Sequence, residues 1–98
     1  MKASEKTFVV TGAGGGIGGE LVLELLSRGA KVAAVDVKLE GMQLIQQRAG
    51  EHGKNMSLHP LDITNRQAVM ALPEAVIAAH GQVDGLINCA GIIQPFVK

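Results

Sequence analysis

The stretch Thr11-Gly12-Ala13-Gly14-Gly15-Gly16-Ile17-Gly18 constrains this chain more than any other. It follows the short apolar run Thr7-Phe8-Val9-Val10 and precedes the amphipathic run Leu21-Val22-Leu23-Glu24-Leu25-Leu26. A strand, a tight glycine turn and a helix, in that order, form the arrangement that cradles a pyrophosphate. Glycine at such a turn lets the backbone take positive φ and approach a ligand with no Cβ in between. The amides of the first helical turn lack a partner inside the helix. The helix dipole adds about 0.3–1 kcal/mol of preference for an anion in front of them. Glycine-rich turns after strands are common, and this one reads in a second register too, Gly14-x-Gly16-x-x-Gly19. A triphosphate-binding loop is excluded, because no Lys-Ser or Lys-Thr follows the glycines.

The rest of the chain alternates strands with helices. Residues 6–11 read as a first strand, apolar on both faces and suited to the inside of a parallel sheet. Residues 17–28 predict a helix with Leu21, Val22, Leu25 and Leu26 on one side and Glu20, Glu24 and Arg28 on the other. Gly29 stands where a left-handed cap closes it. Lys31-Val32-Ala33-Ala34-Val35-Asp36 is the second strand and completes a βαβ unit. Residues 39–51 predict a second helix in spite of Gly41, which costs about 1 kcal/mol relative to Ala. Residues 56–61 read as a short strand, and Pro60 places it at a sheet edge. Thr64 with Gln67 reads as a capping box opening a third helix. Val69, Leu72 and Val76 are its expected buried stripe, and Pro73 inside it predicts a kink or two short helices. Gly81 ends that segment, and residues 83–88 form a fourth strand leading into Cys89-Ala90-Gly91. With short connections and right-handed crossovers, the order βαβαβαβ predicts an α/β fold: a parallel sheet with helices on both faces.

Composition excludes several classes of function. The 98 residues suffice for one small domain, able to bury roughly 60–70% of the surface its unfolded chain exposes. Zero formal net charge, no basic block and only two Phe among the aromatics argue against a nucleic-acid partner. Cys89 is the lone cysteine and cannot form an internal disulfide, and three scattered His offer no metal spacing. The apolar run after Lys2 and Lys6 is too short for a signal peptide, and none approaches the ~20 residues of a membrane span. The expectation is a soluble cytoplasmic protein with no membrane contact.

Beyond the loop, Asp36 ends the second strand about two dozen residues after Gly12, where an acid accepts from adenosine ribose hydroxyls. Its alternative is a solvated strand-end carboxylate. A carboxylate beside a 2′-phosphate meets like charge, on the order of 4 kcal/mol per charge pair at an effective dielectric of about 20. No Arg neighbours Asp36 and Lys38 is the only base nearby, so NAD is favoured over NADP. Asp62, in Leu61-Asp62-Ile63-Thr64, either accepts from an adenine amino group or helps start the next helix. Asn88 to Gly91 follow the fourth strand, beside the crevice where strand order should reverse. Cys89 reads as a small buried residue rather than a nucleophile. His52, His59 and His80 read as element-end residues.

Together, Thr11 to Gly18, Asp36, Leu61-Asp62-Ile63-Thr64 and Asn88-Cys89-Ala90-Gly91 resemble the short-chain dehydrogenase/reductase family, along the whole chain. The first motif matches that family's T-G-x-x-x-G-x-G, and the last its N-N-A-G with Cys89 for the second Asn. The resemblance implies a Rossmann-like doubly wound parallel sheet, here truncated after the fourth strand, so that residues 1–98 form the NAD-binding half-domain. It implies that Gly12, Gly14, Gly15, Gly16, Ile17 and Gly18 wrap the pyrophosphate and Asp36 holds the adenosine ribose. Asp62 and Ile63 then flank the adenine, while Asn88, Ala90 and Gly91 line the ribose side and brace the first and fourth strands. The family moves a hydride between nicotinamide and an alcohol or carbonyl, using a Tyr, a Lys four residues on and a Ser. This sequence has no Tyr, and its last Lys is Lys98, so the expectation is a cofactor-binding portion with no catalytic residue of its own. The substrate belongs to the complete protein. The alternatives are a non-catalytic dinucleotide-binding module or partner subunit, and a structural domain with a vestigial loop. An unpaired edge on the fourth strand further predicts self-association.

Overall fold

The computed structural model describes residues 6–89. Strands β1 (Thr7–Thr11), β2 (Lys31–Asp36), β3 (Met56–Pro60) and β4 (Gly85–Asn88) pair in parallel, in the order β3-β2-β1-β4. Val9 of β1 stands beside Ala33 of β2 on one side and Leu86 of β4 on the other. Val32, Ala33, Ala34 and Val35 of β2 have no exposed surface, as a strand covered on both faces requires. The chain runs outward from β1 to β3, then returns across β1 to lay down β4. Strand order therefore reverses at β1, and a crevice opens there at the carboxyl ends of the strands. Parallel pairing puts the exits of β1, β2, β3 and β4 on that same edge of the sheet.

Helices α1 (Gly16–Ser27) and α2 (Leu39–Arg48) cover one face. Val22 and Leu26 of α1 and Met42 and Ile45 of α2 pack there with Val10, Val32, Ala34 and Met56. Each such side chain, once buried, contributes about 1.5–3 kcal/mol. Helix α3 (Arg66–His80) covers the other face, setting Val76 against Val9, Ala33 and Val35, with Leu61 and Leu72 at the margin.

Four expectations are corrected. Helix α2 stops at Arg48, short of residue 51, because Gly50 takes φ 62° and Gly50–Asn55 wind into a 3-10 helix. Gln46 Nε2 holds that turn by donating to the carbonyls of Gly53 and Met56. The capping box is absent: Asn65 caps α3, its Oδ1 accepting from Ala68 N at 3.2 Å. Thr64 is unavailable for that task, since its hydroxyl donates to Asp62 Oδ1 at 2.7 Å. Helix α3 is one helix of 15 residues through Pro73, not two short ones. Pro73 is exposed, and its missing N–H forfeits the bond to the Val69 carbonyl without ending the helix. Val69 is 38% exposed rather than buried. With Pro73, Ile77, Val83 and Leu86 it lines an apolar groove of about 420 Å³ between α3 and β4. Among the described residues a single helix covers this face where two cover the other, and Val69 of the expected stripe is left without cover. The strand bounds shift slightly as well: β1 begins at Thr7, β3 ends at Pro60 and β4 begins at Gly85. Pro60 does lie on an edge strand, as its missing N–H demands.

Candidate functional site

The loop after β1 is shaped mainly by backbone bonds, with the Asp36 carboxylate accepting from Gly14 N. Gly12 turns the chain at φ 69°, a conformation open to glycine and costly for other residues. Ala13 N donates to the Val35 carbonyl at 3.1 Å, which fastens the loop to the end of β2. Gly15 N donates to the Gly12 carbonyl at 3.1 Å, and Gly19 N to the Gly15 carbonyl at 2.7 Å, where α1 begins. A Cβ on Gly18 would overlap the Gly12 carbonyl oxygen, so helix and turn can press together only with glycine there. The N-cap of α1 is Gly15, and no acidic residue stands in the first turn. The amides of that turn are therefore free of any carboxylate from their own helix. Gly12, Gly15, Gly16, Ile17 and Gly18 line a cleft of about 260 Å³ with Asp36 and Cys89.

Asp36 joins this cleft to a second one. Its Oδ2 accepts from Gly14 N at 2.9 Å and its Oδ1 from Lys38 N at 3.3 Å. A carboxylate has about four acceptor positions, so two remain for the hydroxyls of a diol. The Asp36 carbonyl accepts from Leu61 N at 2.9 Å, which brings the exit of β3 alongside. There Val35, Val37, Leu61, Asp62 and Ile63 enclose about 190 Å³, again with Gly12 and Asp36 in the wall. The two cavities share those two residues and run on as one crevice. Asp62 serves the turn into α3: its Oδ1 accepts from the Thr64 hydroxyl at 2.7 Å and from Thr64 N at 2.9 Å. Those bonds, the hydroxyl's first, hold its carboxyl below the usual range. Both readings of Asp62 thus fit one position.

Of the expected site residues, the structure brings Gly12, Gly15, Gly16, Ile17, Gly18, Asp36, Asp62 and Ile63 into this crevice. Gly14 meets Asp36 through its N–H and, with Gly15 and Gly16, lines a further cavity of about 500 Å³ between α1 and α2, rimmed by the Arg48–Glu20 ion pair. Asn88 stands elsewhere: its Oδ1 accepts from Thr11 Oγ1 at 2.7 Å, bracing β4 against β1, and it borders the apolar groove. Ala90 and Gly91 lie outside the described residues. Cys89 is buried as expected, and it lines the cleft beside Ile17, although it was not named among the expected site residues. Its position one residue past β4, at the same edge as the loop, was the available signal. Val37 and Leu61 were missed in the same way.

The sequence profile of the short chain dehydrogenases matches residues 6–98. The chain belongs to the short-chain dehydrogenase/reductase family. This family member is 38% identical over 93 residues to 2,3-dihydroxy-2,3-dihydro-p-cumate dehydrogenase of Pseudomonas putida, a match covering 92% of the chain and 36% of the relative. Among solved structures, NAD+-bound xylitol dehydrogenase superposes with a TM-score of 0.80 at 30% identity, over 88% of this chain and 33% of the other. A metagenomic short-chain oxidoreductase in complex with NADP superposes with a TM-score of 0.75 at 32% identity, over 83% and 37%. The chain thus spans about a third of the length of these oxidoreductases. Among the described residues, no helix is long and apolar enough to cross a membrane, and no cluster of three or more His, Cys, Asp or Glu is placed to hold a metal ion.

Proposed function

We propose that this chain binds NAD(H) in the crevice at the carboxyl edge of its sheet, as the cofactor-binding part of an oxidoreductase. The observation that carries this reading is the pair of cavities sharing Gly12 and Asp36, one walled by helix-start amides, the other by Asp62 and Ile63. The absence of a Cβ from Gly18, where one would strike the Gly12 carbonyl, fits a loop shaped for close approach to a pyrophosphate. When bound, the nicotinamide gives or takes the hydride exchanged with an alcohol or carbonyl. The chain's own residues bind and orient. The first-turn amides hold the pyrophosphate, Asp36 the adenosine ribose, and Asp62 with Ile63 the adenine. Asn88, fixed by Thr11, supports the wall toward the second ribose, to which the resemblance also assigns Ala90 and Gly91.

The preference is for NAD. Asp36 presents a charge that repels a 2′-phosphate, and any side chain at position 14 would be crowded by its neighbours. A Cβ there would stand 3.1 Å from Asp36 Oδ2 and 3.2 Å from Met42 N. Calorimetric titration of wild type and Asp36→Ala with NAD and NADP tests this. Wild type is expected to bind NAD about tenfold or more tightly than NADP, and Asp36→Ala to lose most of that preference. Equal affinities in wild type, unmoved by Asp36→Ala, would end the assignment.

A dinucleotide-binding partner subunit without chemistry of its own is the rival reading. Reading the coding sequence past Lys98 separates the two. An in-frame Tyr-x-x-x-Lys supports the oxidoreductase, and a stop codon supports the partner subunit.

A further inference from the structure

Gly41 sits in the first turn of α2, where intrinsic propensity disfavours it. The structure gives it a use. A Cβ on Gly41 would stand 3.0 Å from the Gly14 carbonyl oxygen and 3.3 Å from Gly14 Cα. Seen from the loop, a Cβ on Gly14 would stand 3.3 Å from the Gly41 carbonyl carbon and 3.1 Å from Asp36 Oδ2. Two glycine backbones therefore meet with nothing between them, and the group next to that contact is the Asp36 carboxylate. Gly14 is held between two neighbours: the first turn of α2 lies against its backbone, and Asp36 Oδ2 accepts its N–H at 2.9 Å. The remaining bond to this carboxylate, from Lys38 N, is longer at 3.3 Å. How Asp36 points thus depends mainly on where Gly14 sits.

We propose that Gly41 is a positioning residue that sets cofactor preference, its contact with Gly14 holding the loop against Asp36 so that the carboxylate faces the adenosine ribose hydroxyls. The proposal rests on the reading of the crevice as an NAD site. A methyl at position 41 has to displace the Gly14 peptide or lift the first turn of α2 by a few tenths of an ångström. Either movement alters the length and angle of the bond from Gly14 N to Asp36 Oδ2. An NAD ribose that uses this carboxylate feels the change. A 2′-phosphate that is repelled by it has little to lose. Helix propensity alone makes the opposite forecast for Gly41→Ala: a more stable α2 and unaltered binding.

The test titrates wild type, Gly41→Ala and the exposed same-helix control Gln43→Ala with NAD and with NADP, and records the Gly14 amide in proton–nitrogen NMR spectra without ligand. Gly41→Ala is expected to weaken NAD binding about fivefold and NADP binding less than twofold, as partial loss of a charge-assisted hydrogen bond would do. The Gly14 amide proton should move toward its position in Asp36→Asn, and Gln43→Ala should do neither. An unchanged NAD to NADP ratio, equal losses for both cofactors, or a stationary Gly14 amide overturns the proposal. If Gly41→Ala does not fold, Gly14→Ala crowds the same contact from the loop side, and discrimination retained there overturns it equally. A wild type that binds neither cofactor sinks the NAD reading, and the Gly14 amide in Gly41→Ala then decides the positioning role by itself.

Discussion

Gly18 and Gly16 stand two residues apart in the same glycine run, yet they face different constraints. A Cβ on Gly18 would strike backbone, the Gly12 carbonyl, whereas one on Gly16 meets nothing within 4 Å. Gly18→Ala is therefore expected to destabilise the chain by about 1–3 kcal/mol and to abolish NAD binding. Gly16→Ala should leave stability within about 0.5 kcal/mol of wild type. Urea denaturation of the two variants checks the pair, and equal effects would contradict the packing argument. The run itself was legible in the sequence, because few other arrangements place so many glycines between a strand and a helix. Which glycine serves packing and which leaves room was not legible, since that depends on a carbonyl folded back beside it. Gly41 shows the same limit. Propensity counts it as a cost within α2, and only the approach of a loop distant in sequence reveals what the missing side chain permits.

At the scale of elements, α3 departs furthest from its sequence pattern. Thr64 and Gln67 have the spacing of a capping box, but Asp62 engages Thr64 first and Asn65 takes over the cap. Competing short-range bonds of similar strength cannot be ranked from spacing. Pro73 lies well inside α3, so Pro73→Ala should restore a bond to the Val69 carbonyl and stabilise the chain by about 1–3 kcal/mol. Urea midpoints would show it, and a destabilised variant would mean that the ring's packing in the groove outweighs the bond. The far end of α3 is tied to the edge strand by a cluster that the sequence concealed. Ser57 Oγ lies 2.7 Å from His59 Nε2 and 2.8 Å from His80 Nε2. Burial first, then the neighbouring His80, holds His59 below its ordinary 6.5. Burial first, then Lys31, holds His80 below the same value, partly opposed by its bond to the Val32 backbone. Both folded values are depressed, so the contribution to stability is full above pH 6.5. As pH falls below that value, the unfolded chain takes up protons that the folded cluster resists, and stability declines until the folded imidazoles charge too. Wild type should accordingly lose stability between pH 7 and pH 5, and the double variant His59→Gln/His80→Gln should lose less. Identical pH profiles would contradict this.

For the molecule as a whole, the alternation of strands and helices was enough to give a parallel sheet with helices on both faces. The order β3-β2-β1-β4 then puts the glycine loop, Asp36 and Asp62 at one edge. The exposure of Val69 was not legible, because apolar spacing in α3 cannot say how much of its stripe finds a partner. Val69, Ile77 and Leu86 remain exposed beside β4, and among the described residues β4 pairs with β1 alone. Among the described residues this strand edge runs on into the apolar groove, and we propose that the 98-residue chain studied by itself, with zero net charge, associates with a second copy there. Sedimentation velocity should show association rising with concentration and reduced by Leu86→Lys. A monodisperse monomer with a cooperative melt would contradict that expectation. The central claim is that the crevice shared by Gly12 and Asp36 takes NAD, and amide shift mapping of the nitrogen-15-labelled chain during an NAD titration tests it most directly. Shifts should concentrate at Gly12, the Gly14 to Gly18 amides, Asp36 and Ile63. Spectra unmoved at saturating NAD, or shifts confined to Val69, Ile77 and Leu86 in the groove, would contradict the account.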